Sequence, residues 1–200
     1  MALNPNLVTL MWSKTCAMKW IAFAFCLILT LLVSDVCWPQ TTCGLQDGRL
    51  EVYKERILPF EKQIQTTLRN SNVDEQFIWL AIIESGGKSN ANSEKGASGL
   101  WQMTAATSKH YGCQPSERHN VECSTEAAAK YLSKLLNDFD GNVWDVIVAY
   151  NMGGANYKRS GEPTREARNL ANTVTCLMRE TPYRYKEDFN EGGKFHKTHK

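Results

Sequence analysis

The chain has 200 residues, of which 42% are hydrophobic, and its formal net charge at pH 7 is only +2. This near balance of charges gives no strong overall field to attract a polyanion, which argues against a nucleic-acid partner. Apart from one apolar N-terminal run, roughly 150 residues remain, enough for one compact domain with a sizeable core.

The first predicted element is an apolar run, WIAFAFCLILTLLV, at residues 20–33. Lys14 and Lys19 precede it and no acidic residue lies upstream, which is the layout of a secretory signal. The run is shorter than the ~20 residues that a full membrane span needs. Residues 1–36 are therefore predicted to be a signal peptide or an N-terminal membrane anchor, and the protein is predicted to be exported.

Seven cysteines fit export, because an oxidising compartment allows disulfides to form. Cys113 and Cys123 bracket a short polar loop and are the favoured pair. Closing a loop of that length contributes about 2–3 kcal/mol in the chain-entropy model. Cys37, Cys43 and Cys176 form an odd set whose pairing stays open. The sequence has no closely spaced Cys/His cluster of the zinc type, so no metal site is predicted.

Helical periodicity dominates the remaining chain, and no alternating run reaches the length of a strand. After a linker at 37–47, an amphipathic helix is predicted between Tyr53 and Leu68, with either a kink or its start near Pro59. A second helix runs to about Ser85 and ends at Gly86. Further helices are predicted over 104–111, from Ser124 or Thr125 to Gly141, from Asn142 to Gly153, and over 164–180.

These elements predict one mostly α-helical domain at residues 48–190. Residues 88–100 are rich in Asn, Ser and Gly and are predicted to form an irregular loop or a small β-hairpin. Residues 191–200 are predicted to be a basic disordered tail, with a weak attraction to anionic wall polymer or lipid as the alternative.

Glu84 lies at the C-terminal end of an apolar helix face that includes Phe77, Leu80 and Ala81. That position should partly desolvate its carboxyl group, and desolvation raises the pKa of an acid. A carboxyl that is protonated near neutral pH is suited to general acid catalysis at a glycosidic oxygen. The same position is also typical of an ordinary solvated residue at a helix end, so other motifs have to decide its role.

Most glycoside hydrolases use two carboxylates, one as acid and one as nucleophile or base. Four other acidic residues are candidates for the second position, but none has a setting comparable to that of Glu84: Glu94, Glu117, Glu122 and Asp145. One carboxylate suffices if the substrate supplies its own nucleophile.

Three ordered blocks carry a family resemblance: IESGG at 83–87, GASGLWQMTAAT at 96–107 and AYNMGG at 149–154. They resemble the signature blocks of lytic transglycosylases with the soluble-transglycosylase, goose-lysozyme-like catalytic domain. GLWQ and the stretch ERHNVECSTEAAAKYLSKLLNDFDGN are similar to the membrane-bound transglycosylase D branch. The resemblance covers about residues 72–159. It implies a lysozyme-like helical fold, peptidoglycan glycan strands as substrate, and no metal or cofactor.

The resemblance also implies roles for matching residues. Glu84 would protonate the oxygen between N-acetylmuramic acid and N-acetylglucosamine, then take the proton of the muramic acid's C6 hydroxyl as a 1,6-anhydro ring closes. Tyr150 would hydrogen-bond and orient Glu84, and Asn151 would bind sugar or hold the motif. The other implied substrate-binding residues are Ser85, Gln102, Gly99, whose lack of a side chain would let the backbone approach the glycan, and Trp101, for which packing is an equal alternative.

Two stretches depart from the family pattern: GGANYKRSGEP replaces a Gly-Pro-Gly turn, and PTREARNLANTV only loosely matches Thr-Arg-x-Tyr-Val. The resemblance implies a periplasmic enzyme, in contact with the inner membrane if the N-terminal segment is retained. Secretion or conjugation machinery is a predicted partner by analogy alone. A hydrolytic lysozyme and a non-catalytic glycan-binding or scaffold protein are the alternative functions.

Overall fold

The structure, a computed structural model, describes residues 42–45 and 48–180. The chain divides into two units, residues 1–40 and 41–200, and the described residues belong to the second. The predicted signal or anchor segment at 1–36 and the predicted tail at 191–200 lie outside the described residues. Across 42–45 and 48–180, no helix is both long enough and apolar enough to cross a bilayer.

Helices make up most of this unit, which confirms the prediction of a mostly α fold. The α-helices are α1 (Arg49–Ile57), α2 (Glu61–Asn70), α3 (Ile78–Ser85), α4 (Ala105–His110), α5 (Val121–Asp138), α6 (Val143–Met152), α7 (Gly154–Ser160) and α8 (Arg165–Glu180). Short 3-10 turns occupy Thr42–Gly44, Leu58–Phe60, Glu75–Phe77 and Pro115–Glu117. In the described part of the chain, β structure is limited to two isolated antiparallel bridges, Asn92 with Ser98 and Ser98 with Met103.

Two apolar helices, α3 and α6, lie in the hydrophobic core. Residues 78–82 of α3 and 146–149 of α6 are almost completely buried, as expected for helices that are apolar on all sides. The amphipathic helix α8 packs against both of them. Glu84 lies in the last turn of α3 and Tyr150 in the last turn of α6, so the core fixes the positions of both residues.

Local sequence signals account for most helix boundaries. The 3-10 turn that contains Pro59 separates α1 from α2, because proline cannot continue the hydrogen-bond ladder of a helix. The Asn142 side chain accepts hydrogen bonds from the backbone N–H groups of Trp144 and Asp145, which confirms the predicted cap of α6. Gly153 ends α6 at a φ of +83°.

The start of α5 corrects a prediction. Neither Ser124 nor Thr125 caps this helix, because the side chain of Asn120 accepts the hydrogen bond of the Cys123 N–H, at 3.1 Å, and the helix begins at Val121. Ser124 and Thr125 are buried inside it. The short helix α7 was not predicted, since its sequence GANYKRS has no apolar periodicity.

Two disulfides join segments of this unit. Cys113–Cys123 closes the polar loop before α5, as predicted. Cys43–Cys176 joins two of the three cysteines whose pairing the sequence left open, at positions 133 apart, and Cys37 lies outside the described residues. Residues 42–45, predicted as part of a linker, are therefore bonded to α8 and belong to the folded unit.

Candidate active site

A groove of about 530 Å³ lies at the C-terminal ends of α3 and α6. Glu84, Tyr150 and Asn151 reach it from these helices. The loop before α4 forms one wall, and α4, α5 and α8 contribute the rest: Ser93, Glu94, Lys95, Ala97, Gln102, Met103, Thr104, Thr107, Tyr131 and Glu166.

The Glu84 carboxyl is the most strongly perturbed acid of this groove. Two effects together raise its pKa from 4.5 to about 7: burial, which is the larger, and the negative charge of Glu166. Within the described residues, the carboxyl has no hydrogen-bond or ion-pair partner. It is therefore partly desolvated, open to the groove, and able to exchange a proton near neutral pH.

Helix α1 fixes the turn that follows Glu84. The guanidinium of Arg56 donates a hydrogen bond of 2.9 Å to the carbonyl oxygen of Gly86. Gly87, at a φ of +72°, lies so close to α1 that a Cβ atom there would stand 2.4 Å from the carbonyl oxygen of Tyr53. This close packing holds the C-terminal end of α3 in place and with it the position of Glu84.

Tyr150 faces the groove, but its hydrogen bond differs from the prediction. Its hydroxyl donates to the backbone carbonyl of Trp101, at 2.8 Å, and not to Glu84. Burial raises the pKa of this hydroxyl, and the nearby charge of Glu84 raises it further, so Tyr150 stays protonated. The single hydroxyl proton is used by the Trp101 carbonyl, so the Tyr150 oxygen can only accept hydrogen bonds from other groups.

Gln102 also lines the groove, at a φ of +48°. Its amide nitrogen donates to the carbonyl oxygens of Gly99, at 2.8 Å, and Ala91, at 3.3 Å, so this end of the side chain holds the loop. The amide oxygen has no partner among the described residues and can accept a hydrogen bond from a ligand. Together with Glu84, Tyr150 and Asn151, four of the predicted site residues lie in one groove.

Three other residues that were predicted to contact the substrate have structural roles instead. Trp101 is fully buried and its indole N–H donates to the Thr125 hydroxyl at 2.9 Å, so it packs in the core and cannot stack on a sugar. The Ser85 hydroxyl is buried and donates to the Ala81 carbonyl at 2.9 Å. Neither residue lines the groove.

Gly99 allows a close approach, but to the chain itself and not to a glycan. At its φ of +80°, a Cβ atom would stand 1.8 Å from the carbonyl oxygen of Arg118. The Arg118 guanidinium in turn donates to the carbonyl oxygens of Gly96, at 2.8 Å, and Met103, at 3.0 Å. Arg118 lies in the loop closed by Cys113–Cys123, so this loop supports the groove wall through the contacts of Arg118.

Sequence reasoning missed Glu166 and Lys95. Their side chains form an ion pair of 2.7 Å between the first turn of α8 and the loop before α4, and both line the groove. Glu166 was placed in a predicted helix, but periodicity gives no sign that the helix meets a loop 71 residues away. Among the described residues, no group of three or more His, Cys, Asp or Glu side chains could hold a metal ion. The absence of a metal or cofactor stays a prediction.

Residues 62–171 match the family model of the transglycosylase SLT domain. This match covers more than half of the chain and includes every residue that lines the groove. The chain belongs to the transglycosylase SLT domain family. The resemblance inferred from the three sequence blocks is confirmed, and the helical architecture fits a lysozyme-like SLT domain.

Curated relatives of this SLT-domain chain include two transglycosylases by name. It is 30% identical over 102 residues to membrane-bound lytic murein transglycosylase D of Escherichia coli (strain K12), which covers 49% of this chain and 23% of the relative. It is 38% identical over 82 residues to peptidoglycan transglycosylase gp16 of Escherichia phage T7, which covers 38% of this chain and 6% of the relative.

A third relative, from Alteromonas sp. (strain M-1), has a name that refers to tributyltin chloride resistance. It is 32% identical over 127 residues, which are 62% of this chain and 58% of the relative. The chain thus spans less than two thirds of the length of each of these relatives.

Proposed function

We propose that this chain is a peptidoglycan lytic transglycosylase. It cleaves the β-1,4 bond between N-acetylmuramic acid and N-acetylglucosamine and leaves a 1,6-anhydro-N-acetylmuramic acid end. The observation that carries the proposal is the Glu84 carboxyl, which has a pKa of about 7 and faces the groove without a partner among the described residues. The SLT domain match and the names of two relatives support the substrate class.

Glu84 acts first as an acid and then as a base. Its proton passes to the glycosidic oxygen, the bond from this oxygen to C1 of the muramic acid breaks, and positive charge develops at C1 and the ring oxygen. The resulting Glu84 carboxylate accepts the proton of the C6 hydroxyl while the C6 oxygen bonds to C1. One bond breaks, one forms, and Glu84 ends protonated without the use of water.

The other acids in the groove fit a supporting role. Glu166 is bound to Lys95 and its side chain is 64% exposed, so it is neither free nor desolvated in the manner of Glu84. Its charge favours the protonated form of Glu84. The sugars themselves are neutral and polar. Their hydroxyl and acetamido groups can hydrogen-bond with the Asn151 side chain and donate to the amide oxygen of Gln102.

Purified sacculi provide the test. The wild-type chain should release muropeptides whose mass shows the anhydro end. Glu84→Gln should lower the rate by ~10²–10⁴-fold, because it removes the proton that is transferred while keeping the size of the side chain. Glu94→Gln is the matched control, since Glu94 lines the same groove without affecting the pKa of Glu84, and it should stay active.

Three outcomes would contradict the proposal. Equal activity of wild type and Glu84→Gln would remove Glu84 from the reaction. Products with a reducing end would identify a hydrolytic lysozyme, and no release by the wild type would favour the scaffold alternative.

Export to the periplasm is part of the proposal. The disulfides Cys43–Cys176 and Cys113–Cys123 support it, because such bonds persist in oxidising compartments. Anchoring in the inner membrane and a partner in secretion or conjugation machinery stay predictions.

A further inference from the structure

Helix α1, Arg49–Ile57, lies outside the residues 62–171 that match the family model. It nevertheless contacts the turn that follows Glu84, through the Arg56 guanidinium and through Tyr53. We propose that Arg56 is a positioning residue, which holds this turn and thereby keeps the Glu84 carboxyl directed at the glycosidic oxygen. The proposal rests on the proposed function and adds to it a residue that does not touch the substrate.

The C-terminal end of α3 needs support from outside the helix. Glu84 lies in its last turn, and Gly86 and Gly87 follow at φ values of +61° and +72°. Two successive glycines make the backbone after the helix easy to move. The Glu84 carboxyl itself has no hydrogen-bond partner among the described residues that could hold it. Beyond the buried body of α3, its position therefore depends on how this turn is held.

Arg56 holds the turn with a charge-assisted hydrogen bond. Its guanidinium donates at 2.9 Å to the carbonyl oxygen of Gly86, directly after α3. Carbonyl groups at the C-terminal end of a helix lack partners within the helix and carry partial negative charge, which favours a cation there. The guanidinium also lies over the Tyr53 ring, 5.7 Å from its centroid. A Cβ atom at Gly86 would stand 3.2 Å from this ring, so both side chains of α1 lie against the same turn.

Helix α1 is itself fixed to the fold, so it can act as a support. Ile57 is fully buried, and Leu50 packs against the core. Cys43, which precedes the helix, is bonded to Cys176 of α8. Arg56, by contrast, is exposed to solvent, so a substitution there should leave the domain folded. An effect on activity can therefore be separated from an effect on folding.

Soluble peptidoglycan strands and the full chain provide the test. Arg56→Met should lower kcat roughly ten-fold, because a small displacement of a catalytic group slows the reaction steeply. KM should be unchanged, since Arg56 does not line the groove. Arg56→Lys keeps a charged donor and should recover most of the rate.

Lys88→Met is the matched control. It also removes an exposed positive charge, directly after the two glycines, but the Lys88 side chain makes no hydrogen bond or ion pair with a described residue. Its kcat and KM should equal those of the wild type.

A double-mutant cycle with Glu84→Gln shows whether Arg56 acts through Glu84. Once the acid is absent, Arg56→Met should not lower the residual rate further. An equal loss in both backgrounds would place the effect elsewhere, and a higher KM with unchanged kcat would place Arg56 in glycan binding. A wild-type kcat in Arg56→Met, with only a lower free energy of unfolding in urea, would leave Arg56 a purely structural role. Each of these three results overturns the proposal. If Glu84→Gln cleaves like the wild type, the proposed function itself fails, whatever the effect of Arg56→Met.

Discussion

At the scale of single residues, apolar surroundings and a nearby carboxylate set the pKa of Glu84. The apolar end of α3 and the walls of the groove withhold water from the carboxyl, which is the larger cause of its raised pKa. The Glu166 carboxylate adds a like charge. Lys95, held 2.7 Å from Glu166, partly neutralises that charge. The groove thus keeps Glu84 protonated in the pH range where a general acid is needed.

This arrangement predicts the effect of Glu166→Gln on the pH dependence of cleavage. Removing the like charge lowers the pKa of Glu84, and the freed Lys95 lowers it further. Because only protonated Glu84 can start the reaction, the fall of kcat/KM at high pH should move to lower pH. The Glu84 pKa should stay above its ordinary value, since burial is the larger cause.

The measurement is a pH profile of muropeptide release for wild type, Glu166→Gln and the control Glu94→Gln. The control should follow the wild type. If the fall of kcat/KM at high pH in Glu166→Gln is unchanged or moves to higher pH, the charge of Glu166 does not raise the pKa of Glu84.

At the scale of elements, the sequence predicted the helices better than the loops between them. Periodicity and capping residues such as Asn142 act locally, so a single sequence contains their signals. The groove wall depends instead on contacts between loops, such as that of Gly99 with Arg118. Ser85 was misassigned, and packing and sugar contact stayed equal alternatives for Trp101, for the same reason: a motif does not show which way a side chain points.

A pair of glycines tests the loop contact. Gly99 and Gly96 have nearly the same φ, +80° and +81°, but only Gly99 has the Arg118 carbonyl in the path of a Cβ atom. Gly96→Ala should cost the ~1–2 kcal/mol of left-handed backbone. Gly99→Ala should cost more, ~3–5 kcal/mol, because the groove wall must also move away from Arg118.

Urea unfolding with the disulfides intact gives both free energies. Equal costs at the two positions would show that the contact between the groove wall and the Arg118 loop contributes nothing to stability.

At the scale of the whole molecule, the sequence was enough to predict the family and the helical class, while the role of Glu84 as the central acid stays a proposal. It did not predict that α8 completes the groove through Glu166 or that Cys43 bonds to Cys176, since both depend on contacts between distant parts of the chain. The buried Glu84 also lowers the stability of the folded state once it is ionised, because a buried charge opposes folding.

That cost predicts how stability depends on pH. The folded pKa of Glu84, about 7, exceeds the ordinary value of 4.5, so the folded state holds this proton more tightly than the unfolded state. Stability attributable to Glu84 is therefore highest below pH 4.5, falls as pH rises through that window, and levels off above pH 7. Glu84→Gln lacks this dependence and should gain up to roughly 3 kcal/mol on the wild type between the two limits.

Urea unfolding of both proteins across this pH range checks the expectation. Groups that titrate alike in the two proteins cancel in the difference. A difference that stays constant with pH would contradict a desolvated Glu84.

The most direct test of the account is a carbon-13 NMR titration of the Glu84 side-chain carboxyl in the folded protein, with the signal assigned by its loss in Glu84→Gln. The midpoint of a desolvated Glu84 carboxyl should be about 7. A midpoint near the ordinary value of 4.5 would show that Glu84 is ionised at neutral pH and cannot be the acid that cleaves the glycan.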